Sequence, residues 1–233
     1  MISENINIVR AKIQSRCLQT GRNPEEIRLI AVSKNTGIDS ILGALNAGIM
    51  DLGENKAQEL TEKVPLIEKN VNWHFLGHLQ RNKVKYVLPA AFLIHSVDSI
   101  RLAEEINLQA LKLGKIQKIL LEIKTSEETA KYGVSDPSEL IRLASYCQDA
   151  PGLELRGLMT MAPFTSDEYL IRKSFAGLRN LKVMLNERGF NLNELSMGMT
   201  HDYEIAIEEG ATMLRIGTAI FGERDYAKSW REQ

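Results

Sequence analysis

The chain of 233 residues is poor in several features that mark specialised classes of protein. It contains only two cysteines, Cys17 and Cys147, in neither a C-x-x-C pair nor a zinc-binding spacing, so we expect no disulfide framework and a reducing, cytoplasmic setting. Basic and acidic residues nearly balance at 29 and 30, so no bulk charge favours nucleic acid or a membrane surface. No apolar run approaches the ~20 residues needed to span a bilayer. A signal peptide is not expected, because Glu4 interrupts the N-terminus before any long apolar run.

Common catalytic signatures are also missing. The sequence has no Walker loop, no G-x-G-x-x-G, no H-E-x-x-H and no nucleophile elbow. What it does have is 44% hydrophobic residues, enough to bury a sizeable core, and a length that suits one domain over residues 1–233.

Short apolar runs alternate with longer amphipathic stretches along the chain, a pattern typical of parallel βαβ units. Eight such runs in about this length favour an α/β fold with a single (β/α)8 TIM-type barrel over an open sheet. The runs are Leu29–Ser33, Ile49–Gly53, Trp73–Leu76, Phe92–His95, Lys118–Ile123, Leu155–Thr160, Glu194–Met197 and Met213–Ile216.

Four helices can be predicted from spacing and capping signals. Residues 2–19 carry an apolar face at spacings of three and four and form an extra N-terminal helix before the first strand. A second helix is capped by Asp98 and ends near Gly114. A third covers 137–148, with Pro137 behind the cap Asp136, and a fourth covers 166–188.

Lys34 closes the first apolar run. Alternate residues of a strand share a face, so Lys34 is in phase with Ile30 and Val32 and points into the barrel mouth if they point inward. A lysine held there can form a Schiff base with an aldehyde. The alternative is an ordinary strand-end lysine reaching water.

Phosphate-type loops follow the last two strands, where (β/α)8 barrels commonly bind phosphate. Ser196 and Thr200 supply hydroxyls beside a glycine in LSMGMT, ahead of the predicted helix HDYEIAIEEG. In RIGT, Arg215 lies within an apolar strand and Gly217 and Thr218 follow it. The alternatives are a helix cap at Thr200 and a structural ion pair between Arg215 and a carboxylate of another strand.

Asn55, after the second strand, offers an amide at the same mouth, although it could simply cap a helix. His74 and His78 lack the partners of a metal site and fit packing or mouth-lining roles better. His95 and His201 have no partner that the sequence identifies. An amine opposite a phosphate site matches pyridoxal 5'-phosphate, which carries both an aldehyde and a phosphate.

The motifs AVSK, GEN, WHFLGHLQRNK, HSVD, GLM, LSMGMT and RIGTAIFG stand in this order over nearly the whole chain. Together they resemble the pyridoxal phosphate homeostasis proteins, single-domain relatives of the alanine racemase N-terminal barrel. The resemblance implies that Lys34 holds pyridoxal phosphate as an internal aldimine, and that Arg215 approaches its pyridine nitrogen.

The resemblance also assigns the remaining contacts. It implies that Ser196, Gly217 and Thr218 contact the phosphate and that Asn55 lines the ring. Three departures are notable: Thr200 replaces a serine but keeps the hydroxyl, LGEN stands where the family has FGEN, and Lys124 stands where the family has asparagine.

The residues and the resemblance together predict a cofactor-binding protein that stores, buffers or delivers pyridoxal phosphate, without catalytic residues or metal of its own. An arginine beside the pyridine nitrogen disfavours the pyridinium that carbanion chemistry uses. We expect a cytoplasmic monomer whose partners are the cofactor and apo pyridoxal-phosphate enzymes. The rivals are a racemase-like enzyme acting on amino acids, which would need a further domain, and a cofactor-free Schiff-base aldolase.

Overall fold

The computed structural model describes residues 1–125, 132–223 and 229–232. Within these ranges eight parallel strands close into a barrel in sequence order, with β1 paired to β8, so the predicted (β/α)8 fold is confirmed. The strands are β1 Arg28–Val32, β2 Asp51–Glu54, β3 Asn72–Phe75, β4 Ala91–Val97, β5 Gln117–Glu122, β6 Leu153–Met159, β7 Glu194–Ser196 and β8 Met213–Ile216.

The helices of the described chain surround this barrel. They are α1 Ile2–Gln19, α2 Ile38–Asn46, α3 Ala57–Lys63, α4 Val84–Val87, α5 Ile100–Lys112, α6 Pro137–Asp149, α7 Glu168–Asn186, α8 Tyr203–Glu208 and α9 Thr218–Phe221. The extra helix α1 has its predicted bounds and packs against α2, α8 and α9.

Side-chain caps account for the starts of α6 and α7, whereas α5 starts without a capping hydrogen bond from a side chain. The carboxylate of Asp136 accepts from the backbone of Ser138 and Glu139, as predicted for α6. Helix α5 instead begins after Ser99, one residue beyond the predicted cap Asp98. Helix α7 begins at Glu168, two residues after the predicted start at 166, because the Asp167 carboxylate accepts from the backbone N–H of Tyr169.

Two apolar layers hold the barrel. The larger one fills the space between the helices and the outside of the strands. A smaller cluster inside the barrel contains Ile30, Leu93, Leu120, Met159 and Met213. Because Ile30 lies in this inner cluster, β1 has the phase that carries Lys34 to the mouth.

No helix in the described part of the chain is long and apolar enough to cross a membrane. Among the same residues, no group of three histidine, cysteine or acidic side chains could hold a metal ion.

Candidate functional site

A cleft of about 200 Å³ lies at the carboxyl ends of the strands. Six of the seven predicted cofactor-binding residues line it together: Lys34, Asn55, Thr200, Arg215, Gly217 and Thr218. Apolar side chains complete the walls, among them Val32, Leu76, Met159, Met161 and Met199. The cleft therefore combines an amine, a guanidinium and two hydroxyls with surfaces able to contact a flat ring.

Backbone geometry that only glycine tolerates shapes two sides of this cleft. A Cβ on Gly77 would lie 2.1 Å from the carbonyl oxygen of Asn55, so a side chain there would displace the loop that presents the Asn55 amide. Gly198 has φ +94°, and a Cβ there would lie 2.6 Å from the Cβ of Ala206. The turns after β3 and β7 are thus fixed by close backbone approach.

Arg215 projects from β8 at the bottom of the cleft and is only 5% exposed. Its Nη1 donates to the Ser196 hydroxyl at 2.6 Å, and its Nη2 donates to the Thr160 carbonyl at 2.8 Å. Burial lowers the pKa of Arg215 to about 10, although Asp202 and Glu122 act in the opposite direction. In the described residues no carboxylate lies within ion-pair distance of it, so the alternative of a direct structural ion pair does not apply.

A chain of buried hydrogen bonds extends from Arg215 through the barrel. The Ser196 Oγ lies 2.9 Å from His95 Nδ1, and His95 Nε2 lies 2.9 Å from His74 Nδ1. His74 Nε2 in turn lies 2.9 Å from the Asp51 carboxylate, at the start of β2. We call these five side chains the interior relay.

The two ends of the interior relay, together with neutral imidazole rings, assign the protons in it. Asp51 can only accept, so His74 donates from Nε2 and accepts at Nδ1 from His95. His95 Nδ1 then accepts from Ser196, whose oxygen accepts from Arg215. Burial lowers the pKa of both histidines, that of His95 well below its ordinary value, in agreement with neutral rings. Burial alone would raise the pKa of Asp51, but the His74 hydrogen bond and nearby charges outweigh it and lower that pKa.

Ser196 is the predicted site residue that the structure places elsewhere. It is fully buried beneath the cleft, does not line it, and has its hydroxyl engaged by Arg215 and His95. The Ser196 hydroxyl therefore belongs to the interior relay, and its contact with a phosphate stays a prediction. The sequence predicted a polar side chain near the barrel mouth at this position. No local sequence pattern distinguishes a residue that lines the cleft from one in the layer below it.

Thr200 remains at the cleft wall. Helix α8 starts at Tyr203 with Asp202 in the cap position, so the alternative of Thr200 as its cap is wrong. The Asp202 carboxylate instead accepts from the backbone N–H of Met199 and folds the turn back. The Thr200 oxygen accepts from the backbone N–H of Ala219 at 3.4 Å, so the hydroxyl proton is what this residue can offer to the cleft.

The remaining candidates lie at the rim or outside. His201 lines the cleft and meets the ring of Phe164 edge-on at 6.0 Å, and Phe164 is 88% exposed. His78 stacks on Tyr132 at 4.0 Å. Lys124 faces a separate groove of about 670 Å³ between α6 and α7, which contains none of the predicted cofactor-binding residues.

The site is a cleft in a closed barrel, with an amine on the loop after β1 and hydroxyl groups on the loops after β7 and β8. Comparison with protein families identifies the class of protein that this chain represents. The chain matches the family described as "Alanine racemase, N-terminal domain" over residues 4–225 and belongs to it. Within that class it belongs to the pyridoxal phosphate homeostasis proteins.

Relatives with that name match almost end to end. The protein from Aquifex aeolicus is 40% identical over 226 residues, covering 96% of this chain and 98% of the relative. The protein from Escherichia coli K12 is 38% identical over 234 residues, covering 97% and 98%. The solved structure of PipY from Synechococcus elongatus PCC7942 with PLP bound superposes with a TM-score of 0.85 at 34% identity, covering 95% of this chain and 100% of PipY.

Alanine racemases share the fold at lower similarity. The enzyme from Corynebacterium glutamicum has a TM-score of 0.72 at 14% identity. The match covers 96% of this chain but 60% of the racemase chain.

Proposed function

We propose that the protein binds pyridoxal 5'-phosphate covalently through Lys34 and serves in cofactor homeostasis. The observation that carries the proposal is the meeting of Lys34, Arg215 and Thr218 in one cleft, although they come from opposite ends of the chain. The names of the relatives and the PLP-bound structure of PipY support the same cofactor.

The residues of the cleft fit that cofactor chemically. Its aldehyde is captured by an amine with formation of one C=N bond and release of water. Lys34 supplies the amine from the β1 loop, and the Thr200 and Thr218 hydroxyls can donate to phosphate oxygens. Methionine and leucine side chains offer apolar contact to the faces of the ring.

Arg215 is the reason to propose a carrier instead of an enzyme. With a pKa of about 10 it stays protonated at neutral pH, and Ser196 and Thr160 fix its guanidinium. A fixed cation beside a pyridine nitrogen disfavours protonation of that nitrogen, and the ring then accepts electrons poorly. We propose storage and delivery to apo pyridoxal-phosphate enzymes, by a monomer that does not turn over amino acids.

The proposed compartment is the cytoplasm. Cys17 and Cys147 are both buried and unpaired, as expected where thiols stay reduced.

Borohydride trapping tests the covalent site. Purified protein loaded with pyridoxal phosphate should be reduced and digested, and mass mapping should place the adduct on Lys34. Lys34→Ala should lose the visible absorbance of the bound cofactor. An adduct on another lysine, or none at saturating cofactor, would refute the assignment.

Turnover and transfer assays test the carrier role. Loaded protein should pass cofactor to an apo pyridoxal-phosphate enzyme while leaving L- and D-amino acids unchanged. Racemisation or transamination at a rate on the order of 1 per second or more, within the range of ordinary enzymes, would favour the racemase-like alternative.

A further inference from the structure

A fully buried lysine lies directly under the loop that carries Lys34. Lys63 is the last residue of α3, and its side chain is 0% exposed. The ammonium donates to Glu54 at 2.9 Å, to Glu59 at 2.6 Å and to the Ser33 carbonyl at 2.7 Å. All three of its N–H donors are therefore used inside the protein.

Burying this ionic cluster carries a large desolvation penalty. Two carboxylates surround one ammonium, and replacing a buried ion pair with apolar side chains often leaves stability unchanged or improves it. Burial raises the pKa of Glu54 to about 7, and its Oε2 has no hydrogen-bond partner in the described chain. A role in stability alone is therefore a weak explanation of the arrangement.

The cluster contacts both chain neighbours of Lys34. On one side, Ser33 is bound twice, through its carbonyl by Lys63 and through its hydroxyl by Glu54 at 2.7 Å. On the other side, the backbone N–H of Asn35 donates to Glu59 at 2.5 Å. Asn35 also has φ +53°, a left-handed conformation that is uncommon outside glycine.

The direction of the Lys34 side chain depends on this backbone. Lys34 lies beyond the end of β1, in a turn that the Thr36 N–H closes by donating to the Ser33 carbonyl at 3.1 Å. Its orientation toward the cleft depends on this turn and on the conformations of Ser33 and Asn35 on either side. Both are held by side chains that do not themselves line the cleft.

We propose that Glu54, Glu59 and Lys63 are positioning residues that aim the Lys34 amine at the aldehyde of the bound cofactor. The inference rests on the proposed function, because it assumes that Lys34 is the attachment site. It assigns a role to residues that touch neither the cofactor cleft nor its phosphate loops.

Two measurements on Lys63→Met distinguish a loss of Lys34 positioning from a general loss of structure at the site. The first is the affinity for 4'-deoxypyridoxine 5'-phosphate, which has the ring and phosphate but no aldehyde. The second is the rate at which pyridoxal phosphate forms a borohydride-trappable adduct on Lys34. We expect the affinity to stay near wild type and the rate to fall on the order of 100-fold, the typical effect of a small misplacement of a reacting group.

Arg16→Met is the matched control. Arg16 also bonds two carboxylates, those of Glu204 and Glu208, but it does so between α1 and α8. This variant should form the Lys34 adduct at the wild-type rate.

Glu59 provides a second pair of variants that keeps the test decisive if Lys63→Met does not fold. Glu59→Ala removes the acceptor of the Asn35 N–H, whereas Glu59→Gln keeps an oxygen there. Adduct formation should be slow in the alanine variant and largely restored in the glutamine variant.

The outcomes distinguish the two levels of the proposal. A wild-type rate in folded Lys63→Met and Glu59→Ala, or equal losses of rate and analogue affinity, would overturn the positioning role alone. A wild-type protein that forms no adduct on Lys34 would overturn the proposed function and this inference with it.

Discussion

Replacing Ser196 with alanine removes one oxygen atom from the middle of the interior relay. Arg215 loses an acceptor at 2.6 Å, and His95 loses its partner at 2.9 Å. A hydrogen bond to a charged group contributes about 1.5–3 kcal/mol, and a buried nitrogen left unpaired costs about 1–3 kcal/mol. Together these effects predict a loss of about 2.5–6 kcal/mol in the free energy of unfolding.

Urea unfolding of the cofactor-free protein, followed by circular dichroism, measures this loss. Ser15→Ala, on the exposed face of α1, is the matched control and should change stability by no more than about 0.5 kcal/mol.

The competing role of Ser196 predicts a different result. If its hydroxyl bound the phosphate directly, the alanine variant would keep its stability and lose roughly 10- to 150-fold in phosphate-dependent affinity. A stability within about 0.5 kcal/mol of wild type would refute the relay assignment. An unchanged affinity for the aldehyde-free analogue would argue against the phosphate role.

Three further predictions follow from the cleft and its supports. Thr218→Ala and Thr200→Ala should each weaken binding of the aldehyde-free analogue by roughly 10- to 150-fold in titrations, and unchanged affinity in the double variant would place the phosphate elsewhere. Burial raises the pKa of Glu122 from 4.5 to about 7, so the folded state favours the protonated acid and wild-type stability should fall as pH rises through this window. Because burial raises the pKa of Glu54 to about 7 as well, Glu122→Gln should make that fall smaller in unfolding experiments across pH without abolishing it, and an identical decline in both proteins would contradict the role of Glu122. Gly77→Ala should lower the melting temperature and weaken cofactor retention, because its Cβ would lie 2.1 Å from a backbone oxygen. The control Gly177→Ala, whose Cβ would have no atom within 4 Å, should leave the melting temperature unchanged or raise it.

Much of the fold was predictable because it depends on short-range periodicity. The bounds of α1 and β8 follow from apolar spacing along the chain, and the phase of β1 placed Lys34 at the mouth. Helix starts were less certain, since Ser99 and Asp98 are both good caps and only the local backbone chose between them.

The candidate site was predictable in outline for a related reason. Parallel strands of a barrel end on one face, so polar residues at the ends of β1, β2, β7 and β8 had to converge. This argument gives the height of a residue in the barrel only to within about one layer. It consequently could not separate Thr200, at the cleft wall, from Ser196, which lies buried below it.

The interior relay and the Lys63 cluster were decided by tertiary structure alone. His95 and Ser196 lie 101 residues apart, and Lys63 lies 30 residues from the carbonyl it binds. The sequence by itself determined which side chains face inward, because strand and helix periods are properties of the local backbone. Which inward-facing polar groups then meet depends on how the strands stagger as the barrel closes, and that stagger is set by the packing of the whole chain.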